Sequence, residues 1–207
     1  MQALHQHGWR GLDGDCCYRM RGMNSVSQQS SQSRTQQNLS VAKPRILLGI
    51  DPGFADMGYG VISTDGNKDR VVAFGSLKTS PKQAHEERLM QVYDGLAEII
   101  ELYQPEGAAI ERMYFSKNVS TALDVAEARG VIRVCLRKHG IRTVEFQPSA
   151  VKIAVCGTGN AEKKQVQKMT AVLLGLKEVP KPDDAADGLA LAIALAHTKV
   201  FAEKLGK

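Results

Sequence analysis

No apolar run in this chain approaches the roughly 18 residues needed to span a bilayer. The first 20 residues lack the apolar core of a secretory signal. The reading is therefore a protein without a membrane segment, expected in the cytoplasm. Cysteine is scarce: Cys16 and Cys17 are adjacent, Cys135 and Cys156 lie in apolar surroundings, and no CxxC pair exists. That excludes a disulfide scaffold and a thiolate zinc site, and leaves free thiols in a reducing compartment. No histidine is placed for catalysis; His85, His139 and His197 read as helix-surface or packing residues. A strong charge bias is also missing. Of the net charge of +5, residues 1–43 carry +3 and the remaining 164 residues only +2. If nucleic acid is the partner, its cations must be clustered and the acids gathered elsewhere.

What remains is an ordinary globular composition, 43% hydrophobic and 24% charged, long enough for one domain with a sizeable core. Residues 1–43 form an expected disordered extension. Their Ser/Gln-rich part, residues 24–40, has too few large apolar side chains to offset the entropy of ordering. Met23 directly precedes that tract, and we expect translation to begin there. Intact-mass measurement of the native protein checks this, and a species starting at residue 1 or 2 would overturn it.

The folded body is expected over residues 44–207. Residues 46–60, ILLGIDPGFADMGYG, run from an apolar strand into Asp51 and then into a turn rich in Pro and Gly. An acid at the end of a core strand either caps a turn or holds a cation. Further strands are read at 58–64, 70–78, 108–113 and 141–146. A helix opens at Pro81 and runs to Tyr103, with Leu89, Val92, Leu96, Ile99 and Ile100 on one face. Others are expected over 118–138, 148–155, 161–174 and 183–200. The order β-β-β-α-β-α-β-α-α-α implies an α/β fold: a five-stranded mixed sheet flanked by helices, strand one central beside strand four.

Glu111 ends the fourth strand as Asp51 ends the first, so parallel pairing would bring both acids to one sheet edge. Asp184 and Asp187, three apart, share a face near the start of the last helix. Each acid has a plainer reading. Asp183 or Asp184 can cap that helix, and Glu111 can pair with Arg112 or Arg133. Three acidic elements at one edge are costly unless protons or a cation neutralise them. Oxygen ligands without His or Cys favour Mg²⁺ or Mn²⁺ over Zn²⁺. Two such ions roughly 4 Å apart suit in-line displacement at a phosphate, one activating water and the other steadying the leaving oxygen.

The stretches GIDPG (49–53), GYGV (58–61), AIE (109–111), ARGV (128–131), VK (151–152), GTGNAEKKQV (157–166) and DAADGLALA (184–192) together resemble the RuvC family of Holliday-junction resolvases, in the RNase H-like superfamily. The resemblance implies a metal quartet of Asp51, Glu111, Asp184 and Asp187, with Asp184 rather than Asp183 matching the family's pattern. It implies a Mg²⁺-dependent homodimer that nicks opposed strands of four-way junction DNA in recombination and repair, beside a RuvA–RuvB branch-migration motor. It also implies an aromatic that stacks at the unpaired junction, Tyr114 or its neighbour Phe115, and phosphate contacts from Lys117, Lys152, Lys163 and Lys164. Other readings stay open: a sister RNase H-like nuclease acting on other branched DNA or RNA, or a junction-binding module without catalysis. Sugar kinases and actin-like ATPases share a similar opening motif, but this chain has no room for their second nucleotide-binding half.

Overall fold

The structure, a computed structural model, describes residues 43–112 and 119–198, with no side-chain account for 119–121. Expectations that fall on residues 1–42, on Tyr114, Phe115 and Lys117, and on 199–207 lie outside the described residues. The elements are β1 (Arg45–Asp51), β2 (Asp56–Thr64), β3 (Asp69–Lys78), α1 (His85–Tyr103), β4 (Gly107–Glu111), α2 (Val119–Lys138), β5 (Arg142–Phe146), α3 (Pro148–Cys156), α4 (Lys163–Leu173) and α5 (Asp183–Ala196). The sheet order is β3-β2-β1-β4-β5. The first three strands pair antiparallel and β4 and β5 run parallel to β1, so β1 is central as expected.

Two apolar layers sandwich the sheet. On one face Leu48, Ile50, Val61 and Ile110 meet Val92, Leu96 and Ile100 of α1 and Ile132 and Leu136 of α2. On the other, Leu47, Ile62 and Ala109 meet α5, backed by α3 and α4. Helix α5 is buried almost all round after Asp187, which is why the rest of its sequence, GLALAIALA, is apolar on every side. It lies on β1 and β2 nearly backbone to backbone. A Cβ placed on Gly49 would fall 2.0 Å from the Gly188 carbonyl oxygen, and one on Gly60 would fall 2.4 Å from the Leu189 nitrogen. Gly49 and Gly60 are themselves cross-strand partners. These glycines are needed for close approach.

Several boundaries differ from the sequence expectation. Pro81 does not open α1. It sits in a turn in which Ser80 N donates to Gln83 Oε1 and Gln83 N to Ser80 O, and the helix starts four residues later. Helix α4 begins at Lys163 rather than Ala161, because Glu162 is still extended. Helix α5 stops at Ala196, where Thr198 Oγ1 turns back to the Ala194 carbonyl and His197 Nε2 donates to Asp69 Oδ2 at 2.8 Å.

That last bond joins the end of α5 to the start of β3. Asp69 is buried, and its other oxygen, Oδ1, has no partner. Removing the histidine takes from a buried carboxylate the one side-chain donor it has among the described residues. His197→Ala is expected to cost about 1–3 kcal/mol, read as a lower urea midpoint with an unchanged slope.

Candidate active site

The carboxyl ends of β1 and β4 lie side by side, since Ile50 pairs with Ile110 one residue before each acid. Helix α5 crosses the same edge with its first turn. Oxygens of Asp51, Asp184 and Asp187 lie within 4.8 Å of one another. Glu111 is not part of that tight trio. It shares a cavity with Asp51 and Asp187, together with Lys152 of α3 and Lys163 of α4. Pro148, Val151, Val166, Ala190 and Leu191 give the cavity an apolar wall. Lys164 is exposed on α4 and does not line it.

The turn that carries Asp51 is held from below. Phe54 is buried between the guanidinium of Arg88, 3.8 Å above its ring, and the imidazole of His85 at 4.5 Å between centroids. Thr79 Oγ1 donates to the Phe54 carbonyl at 2.7 Å and accepts from Arg88 Nε at 2.9 Å. His85 in turn hydrogen-bonds Glu127 of α2. Sequence reading left Phe54, Thr79 and Arg88 without a purpose, because they converge only once β1, β3 and α1 are folded together.

The electrostatics of the edge are strained. Burial pushes the Asp51 carboxyl up to about 7, and the neighbouring charges of Glu111, Asp187 and Asp184 push the same way. Glu111 is raised first by burial and then by Asp187. Asp184 is raised by burial and next by Asp56, an acid of β2 that sequence reading did not single out. Among the described residues the relief is cationic: Lys163 and Lys152 oppose the rise at Glu111, and Lys163 Nζ reaches Asp187 Oδ2 at 2.8 Å, a hydrogen bond that holds the ammonium above the usual lysine range. Crowded oxygen donors, one of them already drawing in a lysine, fit a hard divalent cation.

The linkage gives a sign. Folded Asp51 binds its proton more tightly than the unfolded chain, from 3.8 to about 7. Its contribution therefore favours folding below about pH 4 and is lost as pH rises through 7, a swing of about 4 kcal/mol. With divalent metal chelated, Asp51→Asn is expected to raise the melting temperature at pH 8 and to flatten its decline between pH 5 and 8. An unchanged profile would contradict this.

A parallel–antiparallel sheet with helices on both faces and acids gathered at the central strand ends defines an RNase H-like nuclease fold. A family profile, Crossover junction endodeoxyribonuclease RuvC, matches residues 47–197. The chain belongs to this family, whose members are hydrolytic nucleases. It is 50% identical over 159 residues to the crossover junction endodeoxyribonuclease RuvC of Chloroflexus aggregans, covering 77% of this chain and 97% of that one. The structure resembles Thermus thermophilus RuvC in complex with Holliday junction substrate, with TM-score 0.68 and 30% identity over 78% of this chain and 96% of that one. The yeast mitochondrial Holliday junction resolvase shares the fold at TM-score 0.57 and 13% identity, covering 81% and 87%.

The plain pairing weighed for Glu111 is not what its neighbours do: Arg112 and Arg133 both turn to Glu145 of β5. Among the described residues no helix is long and apolar enough to cross a membrane.

Proposed function

We propose that this protein cuts four-way DNA junctions by paired, symmetric hydrolysis of opposed strands, leaving 5′-phosphate and 3′-hydroxyl ends. The observation that carries this is the convergence of Asp51, Asp184 and Asp187 at the end of β1, with Glu111 beside them, in a chain of the RuvC family. These four acids are the proposed ligands for Mg²⁺, which Mn²⁺ can replace. Bound there, the ions supply Lewis-acid activation of water and charge relief at the leaving oxygen.

The protein's own groups do the rest. Asp51, on the central strand, and Asp187, on α5, belong both to the tight trio and to the cavity that Glu111 lines. Lys152 and Lys163 line the same cavity and offset phosphate charge as the strand enters. The apolar wall lowers the local dielectric, so each of these charges acts more strongly than in open water. Water attacks phosphorus in line, the bond to O3′ breaks, and that oxygen leaves with a proton.

By family resemblance, Tyr114 or Phe115 stacks at the open junction, Lys117 and Lys164 add phosphate contacts, and two copies act together because the junction is itself two-fold. The same resemblance supports a cytoplasmic enzyme working beside a RuvA–RuvB motor, and the composition of residues 1–43 supports an extension outside the nuclease domain. The test is a synthetic mobile four-way junction with linear duplex and single-strand controls, with and without Mg²⁺. Paired metal-dependent nicks on the junction alone support the reading. Binding without cutting in either Mg²⁺ or Mn²⁺ would leave a junction-binding module, and no junction preference would point to a sister nuclease.

A further inference from the structure

On the α2 side of the β4–β5 edge, three arginines surround one acid. Glu145 of β5 lies 2.8 Å from Arg129 Nη2, 3.3 Å from Arg133 Nη1 and 3.9 Å from Arg112 Nε. The three differ in exposure. Arg129 is 18% exposed, and its Nε and Nη2 meet no acceptor in hydrogen-bonding geometry. The Arg112 and Arg133 side chains are 54% and 57% exposed. One carboxylate cannot balance three guanidinium ions, so the cluster keeps a net charge of +2.

Its place is specific. Arg112 directly follows Glu111, and its backbone N–H donates to the Phe146 carbonyl at 2.7 Å, which fixes its root at the carboxyl edge of the sheet. Arg133 stands one turn beyond Arg129 on α2. Lys152 and Lys163 flank the acids on the opposite sheet face, where α3 and α4 pack. A strand laid across the ends of β1 and β4 would therefore meet cations on both faces. Arginine suits phosphate because its planar fork offers paired donors.

We propose that Arg112 and Arg133 form a second phosphate-backbone contact for the junction, with Glu145 and Arg129 as positioning residues that hold the two forks at one spacing. This rests on the DNA-cleavage reading above and extends it to a surface that reading does not use. The test is junction binding by the full chain in chelator, so that nothing is cut, titrated from 50 to 200 mM salt. Arg112→Gln and Arg133→Gln are each expected to weaken binding at least about fivefold and to reduce the steepness of log affinity against log salt by about 0.9. Arg133→Lys keeps the charge and should keep the slope. Arg137→Gln, on the last turn of the same helix, should leave both unchanged. Wild-type slopes in both glutamine variants would overturn the proposal, as would Arg133→Lys behaving like Arg133→Gln. A wild-type chain that neither binds nor cuts junctions would instead overturn the function proposed above.

Discussion

Asp51→Asn is expected to reduce junction cleavage by about a thousandfold or more while leaving junction binding in place. Asparagine keeps the shape of the side chain and one oxygen, but it cannot carry the charge that a divalent cation requires. Groups that merely orient a metal ligand are worth about 10–100-fold, so loss of a proposed ligand is expected to cost more. Asp187→Asn is expected to follow, because its oxygen lies in the same tight trio. Single-turnover cleavage at saturating enzyme reads the loss directly. The same Asp51 variant is expected to be more stable than wild type once metal is chelated, since burial and three neighbouring acids already disfavour its charge. Activity and stability thus move in opposite directions, which a misfolded variant could not imitate. Cleavage within tenfold of wild type would remove Asp51 from the chemistry.

Gly188→Ala is expected to destabilise the fold by about 3 kcal/mol or more, or to prevent folding. Alanine normally gains up to about 1 kcal/mol over glycine inside a helix. Here its Cβ would lie 2.6 Å from the Tyr59 carbonyl carbon and 2.7 Å from the Gly60 nitrogen, both backbone atoms that cannot rotate away. Gly49→Ala faces the same obstacle from the strand side, at 2.0 Å from the Gly188 oxygen. Gly130 of α2 provides the contrast, because a Cβ there meets nothing within 4 Å. Gly130→Ala should therefore gain a fraction of a kilocalorie, up to about 1 kcal/mol. Urea unfolding of the three variants decides the matter, and a Gly188→Ala protein as stable as wild type would refute the close-packing argument.

The strands and the four acids were legible because each leaves a local mark. Apolar runs end in a lone carboxylate at Asp51 and Glu111, and Asp184 and Asp187 keep helical spacing at the head of an apolar helix. Parallel pairing of β1 with β4 followed from the β-α-β order and needed no contact information. The glycine seam was harder to see. Gly58 and Gly60 read as part of a strand, and their two-residue spacing puts them on one face of it, but nothing in the sequence shows that this face meets the α5 backbone. Asp56, Phe54 with Arg88, and the arginines around Glu145 left no such mark. They join residues far apart in the chain, Asp56 with Asp184 and Arg112 with Glu145, through folded geometry, and single-sequence patterns end at the reach of one helix turn or one strand.

The glycine seam also separates two properties that often vary together. Where side chains space a helix from a sheet, every core exchange shifts the groups mounted on both. Here the separation of Asp51 from Asp184 and Asp187 is set by peptide units in contact, and bond lengths do not relax when a leucine becomes a valine. Exchanges in the α1–α2 layer should change the melting temperature while the affinity for the divalent ion stays constant. The heat tolerance of this enzyme could be adjusted on one face of the sheet without recalibrating the proposed metal seat at its edge.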